Sequence, residues 1–279
     1  MSGQGAAWAS QSSYGVRFEW GRAGAAALAP QAACLVVVDV LSFTTAVSVA
    51  VERGILVHPY PWRDASARAY ADSVGAQLAV GRAEMSDAEP WSLSASALRS
   101  APHTDRLVLP SPNGSTIAAA APDGVPVVAA CLRNAGAVGA WLEGEGFGTP
   151  DRPLAVIAAG EQWPGGVLRP ALEDLLGAGA VLTALGAGGA RSPEALMAAA
   201  CFAAAPDVAA TVRDCASGRQ LHAYGFDQDV AVAAELDSTD VVPVLRDGAF
   251  RPVTRPRPRP GSPGSPGTPG GAPGAATTD

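Results

Sequence analysis

Five times in this chain a short apolar run gives way to a segment whose apolar residues recur at helical spacing, and that alternation restricts the available folds more than any other feature. AACLVVVDVL at 32–41 precedes SFTTAVSVAVERG, which Gly54 closes. LVHPYP precedes DASARAYADSV, RLVLP precedes STIAAAA, VPVVAACL precedes NAGAVGAWLEG, and LAVIAAG precedes RPALEDLLGAGAVLTAL. A continuous Val-rich run suits a strand buried on both faces, which needs helices above and below it. The expected fold is α/β: three layers, α/β/α, around a mostly parallel or mixed sheet. VRFEWG at 16–21 reads as an edge strand. From SPEALMAAACFAA at 192–204 the sequence is helical through a break at Gly218 to FDQDVAVAAEL, and VVPVLRDG supplies a last short strand.

Residues 1–15 read as a flexible lead, 16–251 as one folded domain, and 252–279 as a Pro/Gly/Ser-rich tail too poor in apolar surface to offset its ordering entropy. The N-terminal residues lack a basic segment followed by an apolar one, and no run of eighteen apolar residues occurs, so neither secretion nor membrane spanning is expected. Cys34, Cys131, Cys201 and Cys215 are far apart, without a CxxC pair, as in a reduced cytoplasmic protein. The net charge is −7, and arginines cluster only near the C-terminus, which leaves nucleic acid without an electrostatic footprint. Association between identical copies is left open.

All 19 basic residues counted as Lys or Arg are arginines. Schiff-base chemistry and a P-loop lysine are thereby excluded. The three histidines, His58, His103 and His222, have no metal-binding spacing, and no GxSxG nucleophile elbow occurs. Carboxylates, hydroxyls, Asn and helix N-termini remain, a set suited to a hard cation such as Mg²⁺ holding a phosphate. Asp39 ends the VVVDV run, followed by Ser42, Thr44 and Thr45 at a helix start, where open α/β sheets bind ligands. A haloacid-dehalogenase reading of this acid fails, since Leu41 stands where the second Asp would be. Asn113, Gly114 and Ser115 join the next strand end to a helix, as a phosphate cradle would, or form a plain tight turn. Arg133 and Asn134 repeat the design. Glu161 follows its strand, Glu173 and Asp174 open a helix, and Arg219, Asp227 and Asp229 come late in the chain. Acids in a first helical turn are also favoured by the helix dipole alone.

Taken in order, VVVDVLSFTTAV, LPSPNGSTIAAAA, CLRNAGAV, AVIAAGEQWPGG with LEDLLGAGAVL, and SGRQLHAYGFDQDVAVAAELDSTDVVPVLRDG resemble the 2-phosphosulfolactate phosphatase (ComB-like) family over about residues 16–250. The resemblance implies an α/β fold, Mg²⁺, and hydrolysis of 2-phosphosulfolactate or a related phospho-acid to the hydroxy acid and phosphate. It gives catalytic roles to Asp39, Thr44, Thr45, Glu173 and Asp174, with Asp39, Glu173, Asp174 and Asp229 as metal ligands. Ser42, Asn113, Gly114, Ser115, Arg133, Asn134 and Arg219 are then the expected binders of a small anionic phosphorylated substrate. Two departures stand out: Ser42 where the family usually carries Arg, and GRAEMSD, with Arg82 and a displaced Glu84, where it carries Gly-Glu-Arg. They motivate an alternative, a diverged member acting as a small-anion-binding or regulatory module.

Overall fold

The structure, a computed structural model, describes residues 8–119, 121–186 and 189–253. The expected tail therefore lies, apart from Pro252 and Val253, outside the described residues. Nine strands form one mixed sheet. They are β1 (Val16–Trp20), β2 (Cys34–Val38), β3 (Leu56–Tyr60), β4 (Gln77–Leu78), β5 (Arg106–Pro110), β6 (Val127–Ala130), β7 (Leu154–Ala158), and, after a two-stranded ribbon of β8 (Glu161–Gln162) and β9 (Leu168–Arg169), β10 (Pro243–Arg246) and β11 (Ala249–Pro252). Their order is β1-β7-β2-β6-β10-β11-β3-β5-β4, with β1 at an edge as its sequence suggests. Residues 8–15, part of the expected lead, dock on that edge: Gln11 is buried, donates to Phe18 O and accepts from Phe18 N.

The helices are α1 (Gly21–Leu28), α2 (Phe43–Glu52), α3 (Ala65–Val74), α4 (Ala95–Ser100), α5 (Gly114–Ala118), α6 (Ala135–Gly144), α7 (Leu172–Ala184), α8 (Pro193–Ala204), α9 (Val208–Asp214), α10 (Ala216–Ala223) and α11 (Asp227–Ala233). β2 shows why three layers are needed. Its Leu35 and Val37 pack with Leu28 of α1 and Val47 and Ala50 of α2, whereas Val36 and Val38 pack with Val138 of α6 and Leu176 and Val181 of α7. Each such side chain contributes about 1.5–3 kcal/mol by leaving water, so covering one face only would forfeit half of that. None of these helices by itself is long and apolar enough to cross a membrane.

The hairpin of β10 and β11 divides the sheet. β10 runs antiparallel to β6, β11 antiparallel to β10, and β3 antiparallel to β11, so the parallel set β3-β5-β4 runs opposite to β1-β7-β2-β6. The sequence reading stops at VVPVLRDG and misses β11, although its Asp-Gly pair is a hairpin signal. Asp247 and Gly248 have φ of 51° and 78°, the left-handed conformations that a two-residue turn requires. From β2 to β5 is five strand spacings, about 24 Å in a flat sheet. Five steps of twist at about 20–25° each rotate β5 by more than ~100° relative to β2, and the two halves share one apolar layer through α2 and α5.

The break expected at Gly218 lies elsewhere. Gly218 is inside α10, and the helical stretch is instead interrupted at 205–207, at Cys215, which ends α9 and caps α10, and at 224–226. A Cβ at Gly218 would sit 2.1 Å from Val212 O. Glycine here permits close packing of α10 on the end of α9 rather than stopping a helix.

Candidate active site

The turn after β2 places the Asp39 carboxylate between two helix starts. Its Oδ1 accepts from Phe43 N (3.1 Å) at the head of α2, and its Oδ2 from Gly114 N (3.0 Å) at the head of α5. Both contacts favour the ionised form, yet burial outweighs them and raises the Asp39 pKa, with Glu173 adding to the effect. Thr44 and Thr45, expected as catalytic, turn away to hold backbone. Thr44 Oγ1 accepts from Asp39 N (2.9 Å) and donates to Asp39 O (2.8 Å), while Thr45 Oγ1 donates to Val40 O (2.7 Å). They fix the Asp39 loop and are fully buried.

Asp174, at the start of α7, pins two strand ends together. Its Oδ1 accepts from Val40 N (2.7 Å) after β2, and its Oδ2 from Gly160 N (2.8 Å) after β7. Burial pushes its pKa well above the carboxylate range, reinforced by Glu173 and Asp39. Glu173 is also buried, and the Cys215 thiol donates to its Oε2 (3.2 Å). Glu161, on β8, completes the acidic group. Burial, with the nearby Asp39 and Glu173 charges, raises its pKa to about 7, and Asn113 Nδ2 donates to its Oε2 (3.2 Å).

Asp39 and Glu161 face a cavity of about 290 Å³ that is also lined by Ser42, Arg63, Arg82, Ser111 and Asn113. No arginine forms an ion pair with either acid among the described residues. Arg63 has neither an ion pair nor a hydrogen bond there, and neither Asp39 nor Glu161 is paired with it or with Arg82, the two arginines that line the same space. Arg82 donates through Nη2 to Ser42 Oγ, so a guanidinium from residue 82 occupies the surroundings of the position where the resembled family carries Arg.

Several expected binders lie elsewhere. Arg133 is buried between Glu52, at the last turn of α2 (2.8 Å), and Glu235. Asn134 is consumed by backbone: its Oδ1 accepts from Cys131 N (2.9 Å), and its Nδ2 donates to Ala129 O and Val241 O (both 3.2 Å). Arg219 is exposed and donates to Asp214 O (2.9 Å). Ser115 Oγ folds back onto Leu109 O (3.2 Å). Asp229 accepts from Arg82, Ser94 and Ser96. Of the asparagine turn, Asn113 reaches the cavity, whereas the Gly114 N–H is spent on Asp39. Arg63 carried no signal beyond its place after β3, and Glu161 only its place after β7.

Gly114 is indispensable to this arrangement. A Cβ there would lie 2.4 Å from Phe43 Cδ1 and 2.8 Å from Asp39 Oδ2. Gly114→Ala is expected to destabilise the fold by about 1–3 kcal/mol through overpacking and to displace Asp39. A lowered denaturation midpoint together with a fall in kcat checks this; an unchanged kcat would show that the Asp39 position does not matter.

Among the described residues no three His, Cys, Asp or Glu side chains converge as a ready-made metal cage. Mg²⁺ does not require one, because it commonly uses one or two carboxylates with water and substrate phosphate oxygens completing its shell. Asp39 and Glu161 fit that demand as hard oxygen donors facing one cavity, crowded by Glu173 and in no ion pair with an arginine among the described residues. A family model described as 2-phosphosulpholactate phosphatase matches residues 25–248. A search of curated proteins finds no match to the chain.

Proposed function

From the chain's membership of the 2-phosphosulpholactate phosphatase family, which makes it a phosphoric monoester hydrolase, we propose that it hydrolyses a small phosphomonoester bearing a second acidic group, 2-phosphosulfolactate or a related phospho-acid, with Mg²⁺. The observation that carries this reading is the joint presence of Asp39, Glu161, Arg63 and Arg82 around one cavity without ion pairs between the acids and the arginines. A substrate with a phosphate at one end and a carboxylate or sulfonate at the other complements that division of charge.

Asp39 and Glu161 would hold Mg²⁺, which when bound neutralises phosphoryl oxygen charge and lowers the pKa of a bound water. Asp39 is kept in place for this by the N–H groups of Phe43 and Gly114, and its loop by Thr44, Thr45 and Asp174. Asn113 orients Glu161 by donating to it. Arg63 and Arg82 bind the acidic end of the substrate, as guanidinium groups do for carboxylate and sulfonate oxygens. The four free cysteines, three of them buried, agree with a reducing cytoplasmic setting.

The test is phosphate release from a panel of phosphomonoesters with and without Mg²⁺. Release that requires Mg²⁺ and is fastest with acid-bearing esters is expected. If every ester gives only background release while the protein still binds phospho-acids, the chain is an anion-binding module instead.

A further inference from the structure

The resemblance places Asp229 with the metal-holding acids, but its contacts give it another task. Arg82 lines the cavity containing Asp39 and also the adjoining one lined by Leu41, Glu161, Tyr224 and Phe226. Its guanidinium is held on three sides. Nε donates to Asp229 Oδ2 (2.8 Å), Nη2 donates to Ser42 Oγ and to Leu93 O (3.5 Å), and the group lies 5.6 Å from the centre of the Phe226 ring. Nη1 has no hydrogen-bond partner among the described residues. Asp229 is fully engaged: Oδ1 accepts from Ser94 Oγ (2.6 Å), Ser96 Oγ (2.6 Å) and Ser96 N (3.0 Å) at the start of α4, and Oδ2 faces Arg82. Its side chain is 1% exposed against 17% for Arg82. Asp229 does not line either cavity, whereas the arginine it holds lines both.

We propose that Arg82 is the specificity-determining cation of the site, presenting its free Nη1 edge to the acidic group remote from the phosphate, and that Asp229 is a positioning residue that presets it. This rests on the phosphatase reading above. A free arginine would lose several rotatable bonds' worth of freedom when a ligand arrives; one already clamped by Asp229, Ser42 and Phe226 loses little, and that preorganisation appears as affinity. Arg63, without such a clamp, is the adjustable partner. Asp229 thereby connects α11 and α4 to substrate selection without touching substrate.

The experiment compares, on the full chain with Mg²⁺, 2-phosphoglycolate, which carries a carboxylate, with ethyl phosphate, which does not. Arg82→Ala is expected to raise KM for phosphoglycolate about tenfold or more, consistent with loss of a charge-assisted contact, and so to lower the ratio of kcat/KM for phosphoglycolate to that for ethyl phosphate by about the same factor. Asp229→Asn should shift the same ratio in the same direction, and adding it to Arg82→Ala should change the ratio no further, because a positioning residue acts only through the group it positions. The proposal is overturned if Arg82→Ala affects both esters alike, if the double variant is additive, or if Asp229→Asn lowers kcat for both esters with the ratio intact, as loss of a metal ligand would. Should Asp229→Asn fail to fold, Arg82→Ala alone still decides whether that arginine sets the ratio. Should the wild type release no phosphate from any ester, the phosphatase reading fails. Calorimetric affinities of the two esters for wild type and Arg82→Ala then still decide the role of Arg82.

Discussion

Asp39→Asn is expected to lower kcat by about 10²–10³-fold or more while moving the melting temperature by only a few degrees. The loss of rate follows from removing charge where phosphoryl transfer depends on electrostatic stabilisation. The small change in stability follows from two opposed effects. Asn offers one carbonyl oxygen to two backbone donors, Phe43 N and Gly114 N, so one N–H is orphaned at a cost of about 1–3 kcal/mol. Against that, burial and Glu173 already disfavour the Asp39 charge, as its raised pKa shows, and a neutral amide relieves both. Steady-state kinetics beside thermal unfolding checks the prediction. A variant that unfolds early yet keeps the kcat of its folded fraction would make Asp39 a capping residue and no more.

The metal-free protein is expected to lose stability as pH rises from about 4.5 to about 7, and Mg²⁺ in excess is expected to restore it. Glu161 sets this window, since its pKa moves from the ordinary 4.5 to about 7; Asp39 and Asp174 are raised as well. For an acid whose folded pKa is raised, the folded state holds the proton that the unfolded state releases. Its stabilising contribution is therefore complete below the unfolded pKa and is lost as pH passes through the folded one. His58 works in the opposite direction. It is 8% exposed, neither ring nitrogen has a well-formed hydrogen bond among the described residues, and its pKa is lowered by burial, aided by the Arg106 and Arg251 charges and opposed by the backbone of Gly248, so its contribution is lost as pH falls through and below 6.5. Loss between pH 6.5 and about 4.5 on acidification that Mg²⁺ does not reverse belongs to His58, and further loss below that to Asp64, Asp227 and Glu235, whose pKa values are lowered, whereas loss toward neutral pH that Mg²⁺ does reverse belongs to the cavity carboxylates. At about a hundredfold excess over its Kd, Mg²⁺ adds about 2.7 kcal/mol, or roughly 5–10 °C for a domain of this size. Thermal unfolding across pH with and without Mg²⁺ is the measurement. Flat stability toward neutral pH and no shift on adding Mg²⁺ would remove the carboxylate cluster as a cation site.

The strand and helix alternation was legible because each element's apolar pattern is local. A Val-rich run such as 34–38 announces a strand buried on both faces whatever surrounds it, and the Asp39 turn follows from its position at that strand's end. β11 was not legible, since AFRP is too short to carry a period, although the Asp-Gly before it was a usable sign. Arg133 and Asn134 share the strand-end placement of Asp39, yet their side chains are taken up by Glu52, Glu235 and backbone carbonyls. Position at a junction says that a side chain is near the ligand-binding edge; it does not say which way the side chain turns.

The sequence by itself determined the layered α/β architecture, the absence of lysine chemistry and the acid at the end of the second strand, because these depend on residue identity and on spacing along one element. The tertiary structure alone decided the membership of the site. Arg63, Arg82 and Glu161 meet Asp39 only because a twisted sheet, its direction inverted by the β10–β11 hairpin, carries distant loops to one cavity. The pairing of Asp229 with Arg82, 147 positions apart in the chain, has no local trace, since charge finds its partner through space after the core has packed.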